Sequence, residues 1–183
     1  PGSATSWTLT NSGGPGSGSG DEYFQNDGSV NIVGGLSGST TATLGGTNLT
    51  VTGSGQFNLY GNNASLVIGS GVSMGAGQTI NFVNDGTATG QSVTEQNAKQ
   101  VDARIAGFNI GDTLNLQGLG SDPASYKVIV GNGEATVQLF SGANQTGTVL
   151  DSVTFLGNFN ASSFDITLGT GSATIGATGA IGN

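Results

Sequence analysis

The sequence predicts an all-β protein of Gly/Thr/Asn-rich short strands, arranged as a β-solenoid or a β-sandwich, with at most one short helix. Three observations predict it. Thirty-five of the 183 residues are glycine, and glycine disfavours a helix interior by about 1 kcal/mol relative to alanine. Apolar residues come in short clusters, several of them alternating with polar ones and bounded by Gly, Ser and Asn, which is the pattern of short half-buried strands. Only 8% of residues are charged and 34% are hydrophobic. That leaves Ser, Thr, Asn and Gly as the bulk, with hydroxyls and amides suited to the solvent face of a sheet. Disorder is the competing reading, but it brings higher charge density and fewer β-branched residues than are present here.

Taken in order, Pro1-Gly2-Ser3 (residues 1–3) reads as the scar of a cleaved tag and cloning site. Residues 4–20 read as a short strand around Trp7 and Leu9 followed by a flexible Gly/Ser-rich linker, Asn11 to Gly20. Across 21–90 the apolar clusters Ile32-Val33, Leu44, Leu49-Val51, Phe57-Leu59, Leu66-Val67-Ile68, Val72 with Met74, and Ile80-Phe82 recur at separations of roughly 7–10 residues. This spacing fits a solenoid or a meander of very short strands, with Asn48-Leu-Thr-Val-Thr and Ala64-Ser-Leu-Val-Ile resembling stacked rungs.

Residues 91–183 read as an antiparallel sandwich or roll, beginning with the one stretch where a helix fits. Ser92 and Glu95 have capping-box spacing, and Ala98, Val101 and Ile105 share a helical face. The competing reading alternates Val101, Ala103 and Ile105 into a strand. At most one or two short helical turns near 93–99, then strand, is the expectation. Ile105 to Leu119 reads as strand, tight Gly-Asp turn and second strand, with Leu114, Leu116 and Leu119 available to a core. Tyr126 to Phe140 reads as a hairpin turning at Gly131-Asn-Gly-Glu134. Val149 to Leu156 supplies another strand, and Phe164, Ile166 and Leu168 face one side of the next.

Charge and missing residue types exclude whole classes of function. The net charge is −8, with Lys99, Arg104 and Lys127 the only cations, so a phosphate-tracking patch cannot be assembled and nucleic acid is not an expected partner. Anionic membrane surfaces are excluded likewise, and no apolar run approaches the roughly 20 residues that span a bilayer. With no cysteine and no histidine, disulfides, thiol catalysis, the Ser-His-Asp triad and most zinc or iron sites fall away. A glycosidase needs two acids about 5–10 Å apart, and the scattered acids suggest no aromatic-lined cleft. A polysaccharide lyase would need more cations.

Calcium takes clustered carboxylates and loop carbonyls, and two groups are candidates for it. One is Asp21, Glu22 and Asp27, with Asn26 beside them in an Asn-Asp-Gly turn; the other is Asp102 and Asp112, flanking the strand–turn–strand unit. Asn84-Asp85-Gly86 repeats the turn. Asn-Asp-Gly also makes tight turns without any metal, and that reading weighs more. Trp7, Tyr23, Phe24, Tyr60 and Tyr126 are candidates to stack on sugar rings, against the commoner role of core or rim packing. The Asn-x-Ser/Thr triplets at Asn48, Asn63, Asn144 and Asn160 are expected by chance in a chain so rich in these residues.

Ile105-Ala-Gly-Phe-Asn-Ile-Gly-Asp-Thr-Leu-Asn-Leu-Gln-Gly-Leu resembles a segment near the C-terminus of RTX-type proteins exported by type I secretion. Val153-Thr-Phe-Leu-Gly-Asn-Phe-Asn-Ala-Ser-Ser-Phe-Asp-Ile-Thr is similar to the closing pattern of the same secreted surface proteins, including S-layer-like proteins and large adhesins. The resemblance implies a β-fold, export, and an extracellular or cell-surface location. Two departures weaken what it implies about calcium. The family's Gly-Gly-x-Gly-x-Asp nonapeptides are absent, and the position before Phe108, often a ligating Asp in the family, is Gly107.

The expected function is therefore that of a non-enzymatic secreted bacterial surface or extracellular-matrix protein, acting in adhesion, coating or self-assembly through strand edges. The alternatives are a module that binds carbohydrate such as a cell-surface glycan, or the C-terminal calcium and secretion portion of an exported enzyme.

Overall fold

Three strands per turn, one on each of three faces, coil the chain into a β-solenoid-like arrangement of about three turns. The computed structural model describes residues 5–10, 22–35, 38–83 and 90–178. The first turn is β1 (Thr5–Thr10), β2 (Glu22–Gln25) and β3 (Ser29–Val33). The second is β4 (Thr40–Gly45), β5 (Leu49–Thr52) and β6 (Gln56–Tyr60), and the third β7 (Ala64–Ile68), β8 (Val72–Met74) and β9 (Thr79–Val83). A fourth turn has β10 (Ser92–Glu95) and β11 (Arg104–Ala106), but a 3-10 turn at Ala98–Gln100 stands where its middle strand would be. Val101 continues that face with a single parallel bridge to Met74.

The coil closes with β12 (Thr113–Leu116), β13 (Ser125–Val130), β14 (Glu134–Phe140), β15 (Val149–Leu156), β16 (Phe164–Gly169) and β17 (Ser172–Ala177). β12 lies parallel on β10 and β15 parallel on β11. The antiparallel partners β17 and β16 extend the first sheet, and β14 and β13 extend the second. The sheet orders are β1-β4-β7-β10-β12-β17-β16, β13-β14-β15-β11-β9-β6-β3 and β2-β5-β8. Thus the Tyr126–Phe140 hairpin and the later strands form as the alternation predicts, and they continue the solenoid's own sheets.

Alternation sets the inside of the coil, because successive residues of a strand point to opposite faces. Ala42, Leu66, Val93, Leu114 and Ile175 stack in register as one buried column. Val51 and Met74 do so on the short sheet, and Phe57, Ile80, Ile105, Phe155 and Ala135 on the third. Outside, Asn58 donates to Asn31 at 3.0 Å and Asn81 to Asn58 at 3.1 Å, so stacked amides satisfy one another along the coil.

A relay of phenylalanines joins the two motifs that carry the secreted-protein resemblance. Phe108 lies 5.2 Å from Phe82 and 5.1 Å from Phe155, between ring centroids, and Phe155 lies 4.8 Å from Phe164. Leu114, Leu116 and Leu119 are all fully buried. Gly107 is held at φ +67°, and a Cβ there would sit 2.0 Å from the carbonyl oxygen of Phe82.

One expectation is corrected. Ser92–Glu95 is strand, not a capping box: the Ser92 hydroxyl donates to Ser65 across the sheet at 3.1 Å, and Glu95 turns inward. In this stretch helix stays within the expected limit, a single 3-10 turn at Ala98–Gln100, after which Val101, Ala103 and Ile105 alternate into the core. The segments at Asn48 and Ala64 are stacked rungs as expected, each within its own sheet. β5 pairs with β2 and β8, while β7 pairs with β4 and β10, because neighbouring clusters occupy different faces. The Asn-x-Ser/Thr triplets have a partial conformational reason. Asn48, Asn63 and Asn144 hold φ of 62°, 55° and 55°, the left-handed region that Asn tolerates better than most residues.

Candidate functional site

Among the described residues the proposed calcium residues are not gathered into one group. Asp21 lies outside the described residues, as do segment 11–20 and Asn84-Asp85-Gly86. Glu22 is exposed on β2. Asp27 is exposed and engaged in turn chemistry: Ser54 N–H donates to one carboxylate oxygen at 3.0 Å and Gln25 Nε2 to the other. Those hydrogen bonds, Gln25's first, hold its carboxyl below the usual range. Asp102 is exposed beside the 3-10 turn, whereas Asp112 is buried and accepts from Asn109 N–H at 2.9 Å. Among the described residues no group of three or more His, Cys, Asp or Glu is placed to hold a metal.

A different pair of acids enters the core. Glu95 occupies an inward position of β10, opposite Ile68 on one side and Leu116 on the other, and is 2% exposed. Asp151 comes from the opposing sheet, on β15, paired with the buried Leu139. Glu95 Oε2 and Asp151 Oδ2 are both buried without a hydrogen-bond partner. Burial, with the charges of Asp151 and Asp102, holds the Glu95 carboxyl well above the usual carboxylate range. Burial also pushes Asp151 up to about 6, partly offset by a hydrogen bond from Ser152 N–H, with Asp102 raising it and Lys99 lowering it. Inside an aliphatic column a carboxylate is costly unless it is neutralised, so ionised Glu95 lowers the stability of the coil. The signal was in the alternation: Glu95 shares the phase of Val93, and Asp151 that of Val153 and Phe155.

The surface feature with the shape of a site is the outer face of the β2-β5-β8 sheet. Tyr23, Thr50 and Ser73 lie opposite one another in one outward row, and the Ser73 hydroxyl donates to Thr50 at 3.1 Å. Because the next middle strand is missing, Gln100 and Asp102 stand as a wall beyond Ser73. Two adjoining hollows of about 330 and 430 Å³ result, sharing Thr50, Ser73 and Gln100 as lining. Of the aromatics named from the sequence whose side chains are described, Tyr23 is the most exposed at 68%. Tyr60 and Tyr126 are on the other long sheet, and Phe24 packs edge-on against Phe57. The side chain of Trp7 lies outside the described residues. Among the described residues no helix is long and apolar enough to cross a membrane.

Comparison with known proteins adds no relative: no family model matches the chain, and searches of curated proteins and of solved structures find no significant match.

Proposed function

We propose that this chain is a non-enzymatic structural module of a bacterial surface or extracellular matrix, working by adhesion, coating or self-assembly through its strand edges. The observation that carries this reading is the first turn of the coil. β1 and β3 each end a long sheet and β2 ends the short one, so among the described residues nothing pairs with their outer edges. Parallel edges of this kind are templates for another chain unless charge or proline blocks them. The three strands hold one charged residue, Glu22, and no proline. The opposite end is different, since antiparallel β13 and β16 close the long sheets there and carry Lys127 and Asp165. Unlike ends favour head-to-tail growth over a closed pair. Export and a surface location are supported by the resemblance at 105–119 and 153–167.

Light scattering and electron microscopy across a concentration series test the reading. Concentration-dependent oligomers or fibres are expected, and lysine at the exposed edge positions Asn31 and Val33 should suppress them. A monodisperse monomer at every concentration would overturn assembly through this edge.

A further inference from the structure

We infer that the outer face of the β2-β5-β8 sheet binds a neutral polysaccharide, with Tyr23 as the stacking platform and Thr50, Ser73 and Gln100 as the hydrogen-bonding floor and wall. The inference is independent of assembly through the first-turn edges.

The chemistry of the face selects the ligand. Strands in a sheet lie about 4.8 Å apart, so the row Tyr23, Thr50, Ser73 places an aromatic ring beside two hydroxyls at a regular step. A tyrosine offers an apolar ring face with a polar tip, which matches the C–H face of a sugar ring flanked by its hydroxyls. Exposure of 68% leaves that ring uncommitted to the core, whereas Phe24, next in sequence, is half-buried against the core cluster. The lining contributed by Asn48, Thr50, Ser70, Ser73 and Gln100 is hydroxyl and carboxamide, groups that both donate and accept, as sugar hydroxyls do.

Among the described residues the one charged lining residue is Asp102, and no cation lines either hollow. A phosphorylated, sulfated or uronic-acid polymer would therefore meet an acid with no counter-charge. A neutral glycan meets no such penalty. The hollows are open and shallow, which suits the side of a polymer chain running across the strands better than an enclosed small molecule. The fold supplies this opening: the 3-10 turn at Ala98–Gln100 replaces the strand that would otherwise extend the sheet flat.

The test is affinity gel electrophoresis of the full chain in gels containing dextran, soluble β-glucan or galactomannan, with alginate as the anionic control. Retardation by at least one neutral polymer and none by alginate is expected. Tyr23→Ala and Gln100→Ala should each weaken it by about tenfold, equivalent to about 1.4 kcal/mol, while Tyr126→Ala should leave it unchanged. All three residues are exposed, and matching thermal melts would show that the variants fold. Absence of retardation in every neutral gel would overturn the proposal, as would Tyr23→Ala binding like the parent chain. Loss of self-association in Tyr23→Ala without any glycan retardation would assign the face to a second copy and overturn it equally.

Discussion

Gln78 reaches from the corner before β9 to Asn26 at the corner before β3, joining residues 52 apart in the chain inside the coil. Its Oε1 accepts from Asn26 Nδ2 at 2.9 Å, and its Nε2 donates to the backbone carbonyls of Asn26 and Thr52, each at 2.9 Å. Gln78 is fully buried and Asn26 nearly so. One side chain of the third turn thereby satisfies groups from the first and second turns, and Asn-Asp-Gly at 26–28 is the corner it grips.

Gln78→Leu should destabilise the fold by about 1–3 kcal/mol, because the Asn26 amide and two carbonyls each lose one of their hydrogen bonds and keep only one to the backbone. Urea unfolding measures this. Asn26→Ala combined with Gln78→Leu should cost less than the sum of the single changes, as expected for residues in one network.

Stability should fall as pH rises through the acid range. The folded-state carboxyl of Asp151 is raised to about 6, above the roughly 3.9 of an unfolded aspartate. The folded state therefore binds more protons between those values, so stability is fully present below about pH 4 and is lost up to about pH 6. Glu95 is shifted in the same direction and adds to the loss. Urea midpoints from pH 4 to 8 should show the decline, and Asp151→Asn should flatten its lower part.

Glu95→Leu should raise stability at pH 7 by about 1–3 kcal/mol, since it removes a buried acid from between Ile68 and Leu116. At pH 4, where the acid is protonated in both folded and unfolded chains to a greater extent, the gain should shrink. A melting-temperature gain of the same size at both pH values would mean that packing, not charge, is what the acid costs.

Gly107→Asp should lower the melting temperature and cost about 2–4 kcal/mol, the scale of a severe backbone or steric defect. The new Cβ would collide with the Phe82 carbonyl at a left-handed φ of +67°. An aspartate tolerated there without loss would mean that the backbone around Phe108 yields easily.

Much of the strand content was legible because alternation is a local signal. Val149–Leu156 and Tyr126–Phe140 form strands from their own pattern, and Leu114, Leu116 and Leu119 reach the core as their spacing implies. The Ser92–Glu95 region misled for a local reason too: Ser-x-x-Glu fits a helix cap, yet Ser-Val-Thr-Glu equally fits a strand with Val93 and Glu95 inward. A neighbouring parallel strand on each side decided between them.

The site was less legible. Tyr23 was visible as an aromatic among others, but nothing local marks Thr50, Ser73 or Gln100 as its neighbours. Asp27 had the composition of a ligand and forms a turn; Asp151, passed over among the scattered acids, is the one pushed up to about 6.

The sequence by itself determined that the chain is all-β, poor in charge, free of thiols and imidazoles, and alternating inward and outward over short runs. Those properties follow from residue identity and from the two-residue period of a strand. Only the tertiary structure decided which runs stack, because the coil's repeat is irregular. Thr50 meets Ser73 after 23 residues, whereas Ser65 meets Ser92 after 27. With strands this short, hydrogen bonding between turns and closure of one shared core set the register, and that register sends Glu95 inside and leaves Tyr23 on an open face.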